Sequence, residues 1–180
     1  MAHRIDVSAS HSRGVRVQTV VSQNRTGGVV RQRGVNRVVM AVRDIEAGRE
    51  FYEKLLDCEF HPGNDEEAAA YGVKMLFSFD AGIELVAPIE GRDSYIEKTL
   101  DERGEGIVGV VWAVDDADAS KSAGEELGVS TYYTLDYSQS QIDRDLQGRF
   151  SRYYEHFMNG RGTPLGNASV LVGEFDYPEG

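Results

Sequence analysis

The chain has 180 residues, 41% hydrophobic and 27% charged, with a net charge of −11, a composition that suits a globular domain with a sizeable core. No apolar run approaches the ~20 residues of a membrane helix, and the N-terminus lacks the succession of a secretory leader, so a cytoplasmic protein is expected. A single cysteine, Cys58, excludes an internal disulfide and a cysteine-rich metal cage, and it reads as an inert core thiol.

Charge is divided unevenly. Residues 1–37 hold seven arginines against one acid, Asp6, a net of +6, while the remainder holds 12 basic and 29 acidic residues, a net of −17. So acidic a body repels nucleic acid and anionic membranes. The basic segment has no aromatic side chain to stack on bases. Neither nucleic acid nor membrane is therefore expected as a partner. Residues 1–34 read as a separate N-terminal arm, lying on the acidic surface or unstructured, in which residues 15–21 alternate well enough for one short strand.

From Gly34 the pattern becomes that of a packed domain. Residues 35–42 (VNRVVMAV) are rich in β-branched side chains and predict a strand. Asp44 offers an N-cap, and Ile45, Ala47, Gly48, Phe51, Tyr52, Leu55 and Leu56 recur at helical spacing, predicting one buried face. His61, beside Pro62-Gly63, falls in a loop. Residues 73–79 and 83–87 predict two strands joined by a hairpin at Asp80-Ala81-Gly82. Ser94-Tyr95-Ile96-Glu97 has the spacing of a capping box and opens a short linker helix to about Leu100.

The pattern then restarts. Residues 107–114 (IVGVVWAV) form a second β-rich octet, Asp116 a second N-cap, and the following helix runs to Gly128. An offset of 72 residues sets Val42 on Val114, Asp44 on Asp116 and Leu55 on Leu127. Such self-similarity predicts two like modules, over 35–90 and 106–178. Residues 130–137 and 168–175 predict further strands. Between residues 141 and 160, Leu146, Phe150, Tyr153, Tyr154, Phe157 and Met158 recur at helical spacing, predicting an inserted helix with His156 on its solvent side and no counterpart in the first module.

A βαβββ module written twice resembles the vicinal oxygen chelate superfamily of glyoxalases, bleomycin-resistance proteins and extradiol dioxygenases, and within it the methylmalonyl-CoA epimerases. The likeness rests on residues 35–56, 71–116, the helix to Gly128 and 170–178, with the linker Asp101-Glu102-Arg103-Gly104-Glu105-Gly106-Ile107 its most specific piece. It implies an α+β fold in which paired βαβββ modules form a curved eight-stranded cleft. It also implies a divalent metal held by side chains of the first, fourth, fifth and eighth strands. Those positions here are Arg37, Glu84, Gly109 and Gly173, with Glu174 one residue away. A guanidinium offers no lone pair and glycine no ligand, so a metal-free, cofactor-free protein is expected.

Strand parity then sets the lining. With Arg37 facing the cleft, Val39 and Ala41 share its side, as do Gly109, Val111 and Ala113, and Glu84 lies with Val86. Two readings stay open for the polar pair. Arg37 stands as a fixed charge for a carboxylate or enolate oxygen with Glu84 as orienter or base, or the two form an ion pair that merely closes the site. Lys74, Gly109, Tyr133, Tyr154 and Gly173 are further ligand-contact candidates, in a tyrosine-rich second module that also holds Tyr132, Tyr137 and Tyr153. The leading functional reading is a metal-independent isomerase or lyase acting on a small organic carbonyl or carboxylate compound, as a homodimer. The alternative is a non-catalytic small-molecule binding protein of the bleomycin-resistance kind.

Overall fold

The computed structural model describes residues 30–31, 33–164 and 168–178. The proposed alternating strand at 15–21 lies outside the described residues. Among the described residues the first strand is β1 (Val30–Arg31), which runs antiparallel to the end of β9 (Ser169–Tyr177).

The first module is β2 (Gly34–Ala41), α1 (Ile45–Leu56), β3 (His61–Pro62), α2 (Asp65–Ala70), β4 (Val73–Ser78) and β5 (Ile83–Pro88). A linker helix, α3 (Tyr95–Arg103), leads to the second: β6 (Gly106–Ala113), α4 (Ala117–Glu126), β7 (Ser130–Asp136), α5 (Gln139–Asp145), β8 (Arg152–Asn159) and β9. In each module the first and last strands pair in parallel, β2 with β5 and β6 with β9, and the rest are antiparallel. The order is β3-β4-β5-β2-β6-β9-β8-β7. The two modules meet at β2–β6, where Val38 pairs with Val110. That pair is separated by the same 72 residues as the sequence repeat, so it marks the pseudo-twofold axis.

Local chemistry explains most boundaries. The Asp44 carboxylate accepts from the Glu46 and Ala47 amides, and the Asp116 carboxylate from that of Ala119, satisfying N–H groups that the first helical turns leave unpaired. Ser94 caps α3 through the Ile96 amide. The β4–β5 turn closes at Gly82, whose φ of 65° suits a residue without Cβ. The linker is tied to the first strand by Arg43. Its amide donates to Glu105 Oε1 at 2.7 Å and its guanidinium to the Leu100 carbonyl at 3.1 Å.

Three apolar clusters fill the fold. On the convex side Val42, Ile45, Phe60, Ile83, Leu85 and Ala87 pack under α1, and Val129, Met158 and Val172 under α4. On the concave side Val39, Ala41, Val86, Val111, Ala113 and Leu171 pack with Ile96 and Leu100 of α3 and with Phe150, Tyr153 and Phe175. Strand parity in β2, β5 and β6 is thus as expected. The small concave residues, however, lie beneath aromatic rings and leave no open room for a ligand.

The structure corrects the sequence reading in several places. The predicted 141–160 helix is a seven-residue helix, α5, a loop, and then strand β8. The aromatic run serves both periodicities, and pairing with β7 and β9 on either side selects the strand. Nor is α5 without a counterpart, since α2 occupies the same connection in the first module. His61 belongs to the short edge strand β3 rather than to a loop. On α1 only Ile45 is buried, while Phe51, Leu55 and Leu56 remain exposed. Among the described residues no helix is long and apolar enough to cross a membrane.

Candidate functional site

Three buried charges sit together on the concave face. A β-bulge at Asn36, between the pairs Val35–Trp112 and Arg37–Val111, turns two successive side chains to one place. From there the Arg37 guanidinium reaches three side chains. Its Nε donates to Glu84 Oε2 at 2.7 Å, Nη1 to Asn36 Oδ1 at 3.0 Å, and Nη2 to both Glu155 oxygens at 3.3 and 3.1 Å. The rings of Phe77, Tyr153 and Phe175 surround its carbon at 5.4, 5.8 and 5.6 Å. Arg37 is 2% exposed, Glu84 5% and Glu155 0%. The Arg37 pKa is raised well above its ordinary value: burial pulls it down, but Glu155, Tyr153 and Glu84 outweigh that. Burial pushes the Glu155 carboxyl above the usual carboxylate range, Arg37 opposes that rise, and Glu84 adds to it.

Glu155 was missed because the sequence places it on a helix. Read as a strand, Tyr153, Glu155 and Phe157 alternate onto the concave face, the pattern that a period of two would have revealed. Its cross-strand neighbour on β9 is Gly173. A Cβ there would lie 2.5 Å from Phe175 Cζ and 2.8 Å from the Tyr154 carbonyl oxygen. Gly173 therefore makes room for the ring under Arg37 and is not among the residues that line the neighbouring cavity.

Beside this centre lies a cavity of about 90 Å³ that opens to solvent. Met75 and Phe77 of β4 form one wall with Ala68 and Tyr71. Tyr133, Leu135 and Tyr137 form the other, with Tyr153, Glu155 and Phe157 of β8 behind them. A second bulge, at Tyr132 between the pairs Thr131–Met158 and Tyr133–Phe157, brings Tyr132 and Tyr133 together at the mouth. The rings of Tyr71 and Tyr133 touch across the cleft at 5.6 Å between centroids. The Arg149–Asp80 pair, at 2.7 Å, ties the two modules at the far end.

Of the expected site residues, the structure brings Arg37, Glu84 and Tyr133 to this cavity. Lys74 is a correction: Met75 and Phe77 take the concave side of β4, so Lys74 points away and is exposed. Tyr154 is another. It faces α4, and its hydroxyl donates to Asp118 Oδ1 at 2.8 Å, an arrangement that lifts its pKa to about 12 chiefly through desolvation, then through Asp118. Gly109 is on the concave face but covered, with Val39 Cγ2 and Leu171 Cδ1 at 3.3 and 3.4 Å from an added Cβ. His156 is not solvent-facing. It is 1% exposed, with Nδ1 2.8 Å from Thr134 Oγ1 and Nε2 2.9 Å from Asp118 Oδ1.

Register also moves the eighth-strand position. Val39 pairs with Glu84, and Val111, its repeat partner, pairs with Leu171. Leu171 is therefore the counterpart of Glu84, while Gly173 corresponds to Val86. Glu174 stays on the convex side, where Oε1 accepts from the Ala117 amide at 3.0 Å. The donor set does not fit the divalent ion that the resemblance implies. Arg37, Gly109 and Leu171 supply no lone pair, and both nearby carboxylates are bonded to the guanidinium. Among the described residues no group of three or more His, Cys, Asp or Glu side chains is placed to hold a metal.

Comparison with known proteins places this architecture. No curated protein matches the chain by sequence. Among solved structures, methylmalonyl-CoA epimerase from Mycobacterium tuberculosis superposes with a TM-score of 0.57 at 23% identity, covering 78% of this chain and 86% of that one. A variant of the Streptomyces coelicolor methylmalonyl-CoA epimerase in complex with 2-nitronate-propionyl-CoA gives 0.57 at 20% identity, covering 78% and 96%. A hypothetical protein from Bacillus halodurans gives 0.57 at 20%, covering 77% and 91%. At these identities the likeness shows a shared fold and nothing finer. The family model of the glyoxalase/bleomycin resistance protein/dioxygenase superfamily matches residues 36–138, more than half of the chain, and the chain belongs to that superfamily.

Proposed function

We propose that this chain is a metal-independent small-molecule-binding protein whose site is the aromatic cavity over Arg37, Glu84 and Glu155. The observation that carries this reading is the engagement of Arg37 by the protein's own carboxylates. Its guanidinium makes four hydrogen bonds to Glu84, Asn36 and Glu155, so the charge that would hold an enolate or carboxylate is already spent on the protein. What remains open is a cavity walled by tyrosine and phenylalanine rings, the lining of an apolar ligand site. The test is native mass spectrometry and thermal shift with small aromatic compounds. Binding that raises the melting temperature of the parent chain and is lost in Tyr133→Ala supports the site. Binding unaffected by Tyr133→Ala places the site elsewhere. Elemental analysis of dialysed protein is expected to find no stoichiometric zinc, cobalt, nickel or manganese, and one such ion per chain would refute the metal-free reading.

A second reading is favoured by Glu155. A fully buried carboxyl held above its usual range beside a cavity is suited to proton transfer. It would serve an isomerase or lyase acting on a small carbonyl or carboxylate compound, with Arg37 positioning it. On this reading Glu155→Gln binds ligand but does not exchange its proton with deuterium oxide, whereas the parent does. Absence of exchange in the parent leaves the binding reading alone. We also propose a homodimer, in which Phe51, Leu55 and Leu56, 59%, 61% and 47% exposed along α1, are covered. Sedimentation of the parent and of Leu55→Glu is the check, and a monomeric parent would rule the dimer out.

A further inference from the structure

We propose that the cavity selects an organic cation, a protonated or quaternary amine on a small apolar or aromatic body. The inference rests on the reading of this cavity as a small-molecule site and adds the charge of what enters it.

The argument begins with a charge count. The cavity wall carries two carboxylates, Glu84 and Glu155, and among its described lining residues Arg37 is the one basic side chain. All three are buried. One guanidinium neutralises one carboxylate; burial pushes the second, Glu155, toward its protonated form, and it ionises without a large penalty only beside a further positive charge. Lys74 does not supply that charge, because β4 turns that side chain to the other face. An anionic ligand would meet two carboxyl groups and a guanidinium already bonded to both. A cation would complete the balance.

The walls favour the same charge. Tyr71, Tyr133 and Phe157 form a connected ring cluster, with centroids 5.6 Å apart for Tyr71–Tyr133 and 5.3 Å for Tyr133–Phe157. Phe77 and Tyr153 lie deeper, around Arg37. Rings present negative faces, and a cage of them over carboxylates is the standard chemical solution for holding an alkylammonium group. Arg37 is itself the demonstration within this cavity, a cation already held by three rings and two carboxylates. Residues 38–180 carry a net charge of −17, and such a field draws cations toward the cleft and repels anions.

The test is isothermal titration of the full chain with four probes of matched size: phenethylamine, benzyltrimethylammonium, 2-phenylethanol and 3-phenylpropionate. The two cations are expected to bind on the order of tenfold or more tighter than the alcohol, with the carboxylate weakest. Glu155→Gln should abolish that preference. Should that variant fail to fold, Phe157→Leu, which removes a ring and keeps an apolar wall, should weaken the cations more than the alcohol. Equal binding of cations and alcohol, lost alike in Tyr133→Ala, would overturn the cation proposal and leave the cavity as the ligand site. Binding of the cations that survives Tyr133→Ala and Phe157→Leu unchanged would overturn both. So would failure of all four probes to bind at millimolar concentration.

Discussion

Arg37 behaves as a core residue that happens to be charged. Its side chain replaces apolar packing with four hydrogen bonds and three ring contacts, and removing it would strand two buried carboxylates. Arg37→Met is therefore expected to cost about 3–5 kcal/mol of unfolding free energy, read as a lower midpoint in urea with an unchanged slope. Little or no loss would mean that the carboxylates find water or protons instead. Glu155 makes the complementary pH prediction. Its folded pKa is raised, by burial first and Glu84 second, against the opposing Arg37. The unfolded chain thus releases this proton at lower pH than the folded one. Stability from this group is full below the ordinary carboxylate pKa and is lost as pH rises through the raised folded value. Glu155→Gln should flatten the fall in stability over that window, and an unchanged pH profile would show that Glu155 ionises normally. Asp118 shows the opposite sign. The Tyr154 and His156 hydrogen bonds lower its pKa, so its contribution is present above the ordinary carboxylate pKa and lost as pH falls through the lowered one.

At the scale of elements, the second module depends on β8. That strand joins β7 to β9, and its alternate sides serve different ends: Tyr153, Glu155 and Phe157 form the cleft, while Tyr154, His156 and Met158 pack on α4. A one-residue slip would exchange these faces and bring an imidazole to the cavity and a carboxylate under the helix. Phe150, in the loop that leads into β8, is fully buried among Phe79, Tyr153, Phe175 and Tyr177. Phe150→Ala should cost about 3–5 kcal/mol by thermal or urea unfolding. A loss under about 1 kcal/mol would show that the loop collapses into the space. The bulge at Tyr132 is a subtler element, since it puts two tyrosines at one mouth. Its residue count is set by the chain, but its position is set by pairing with β8.

At the scale of the whole molecule, the described residues contain a continuous sheet from β3 to β7 and three apolar clusters. We propose that the basic arm is dispensable for folding. A chain beginning at residue 30, which retains β1, should melt cooperatively within a few degrees of the full chain. Aggregation or loss of the cooperative transition would show that residues 1–29 supply part of the core. Salt offers a second check on the arm. Any attraction between its +6 and the −17 body should fade above about 0.5 M salt, so a stability gap between the two chains that persists at high salt is not electrostatic.

Local chemistry was enough to determine the repeat, the two helix caps, the β4–β5 turn and the central strands. Each depends on residues close in sequence: Asp44 and Asp116 on amides two or three positions away, Gly82 on its own φ, and β2 and β6 on runs of β-branched side chains. The parity of Arg37 and Glu84 was equally legible, because a period of two follows from the strand alone. Tertiary structure decided the rest. Whether 152–159 is helix or strand depended on β7 and β9 offering backbone partners on both sides, which no window of the chain contains. With that choice came Glu155, the second carboxylate bonded to Arg37. The eighth-strand position moved from Gly173 to Leu171 because register is fixed by pairing with β6, not by counting back from the end of the chain. The small concave residues looked like space for a ligand, but Phe150, Tyr153 and Phe175 reach them from elsewhere in the chain. Volume in a core is occupied by whatever folds over it, and that is a property of the packed chain rather than of any one strand.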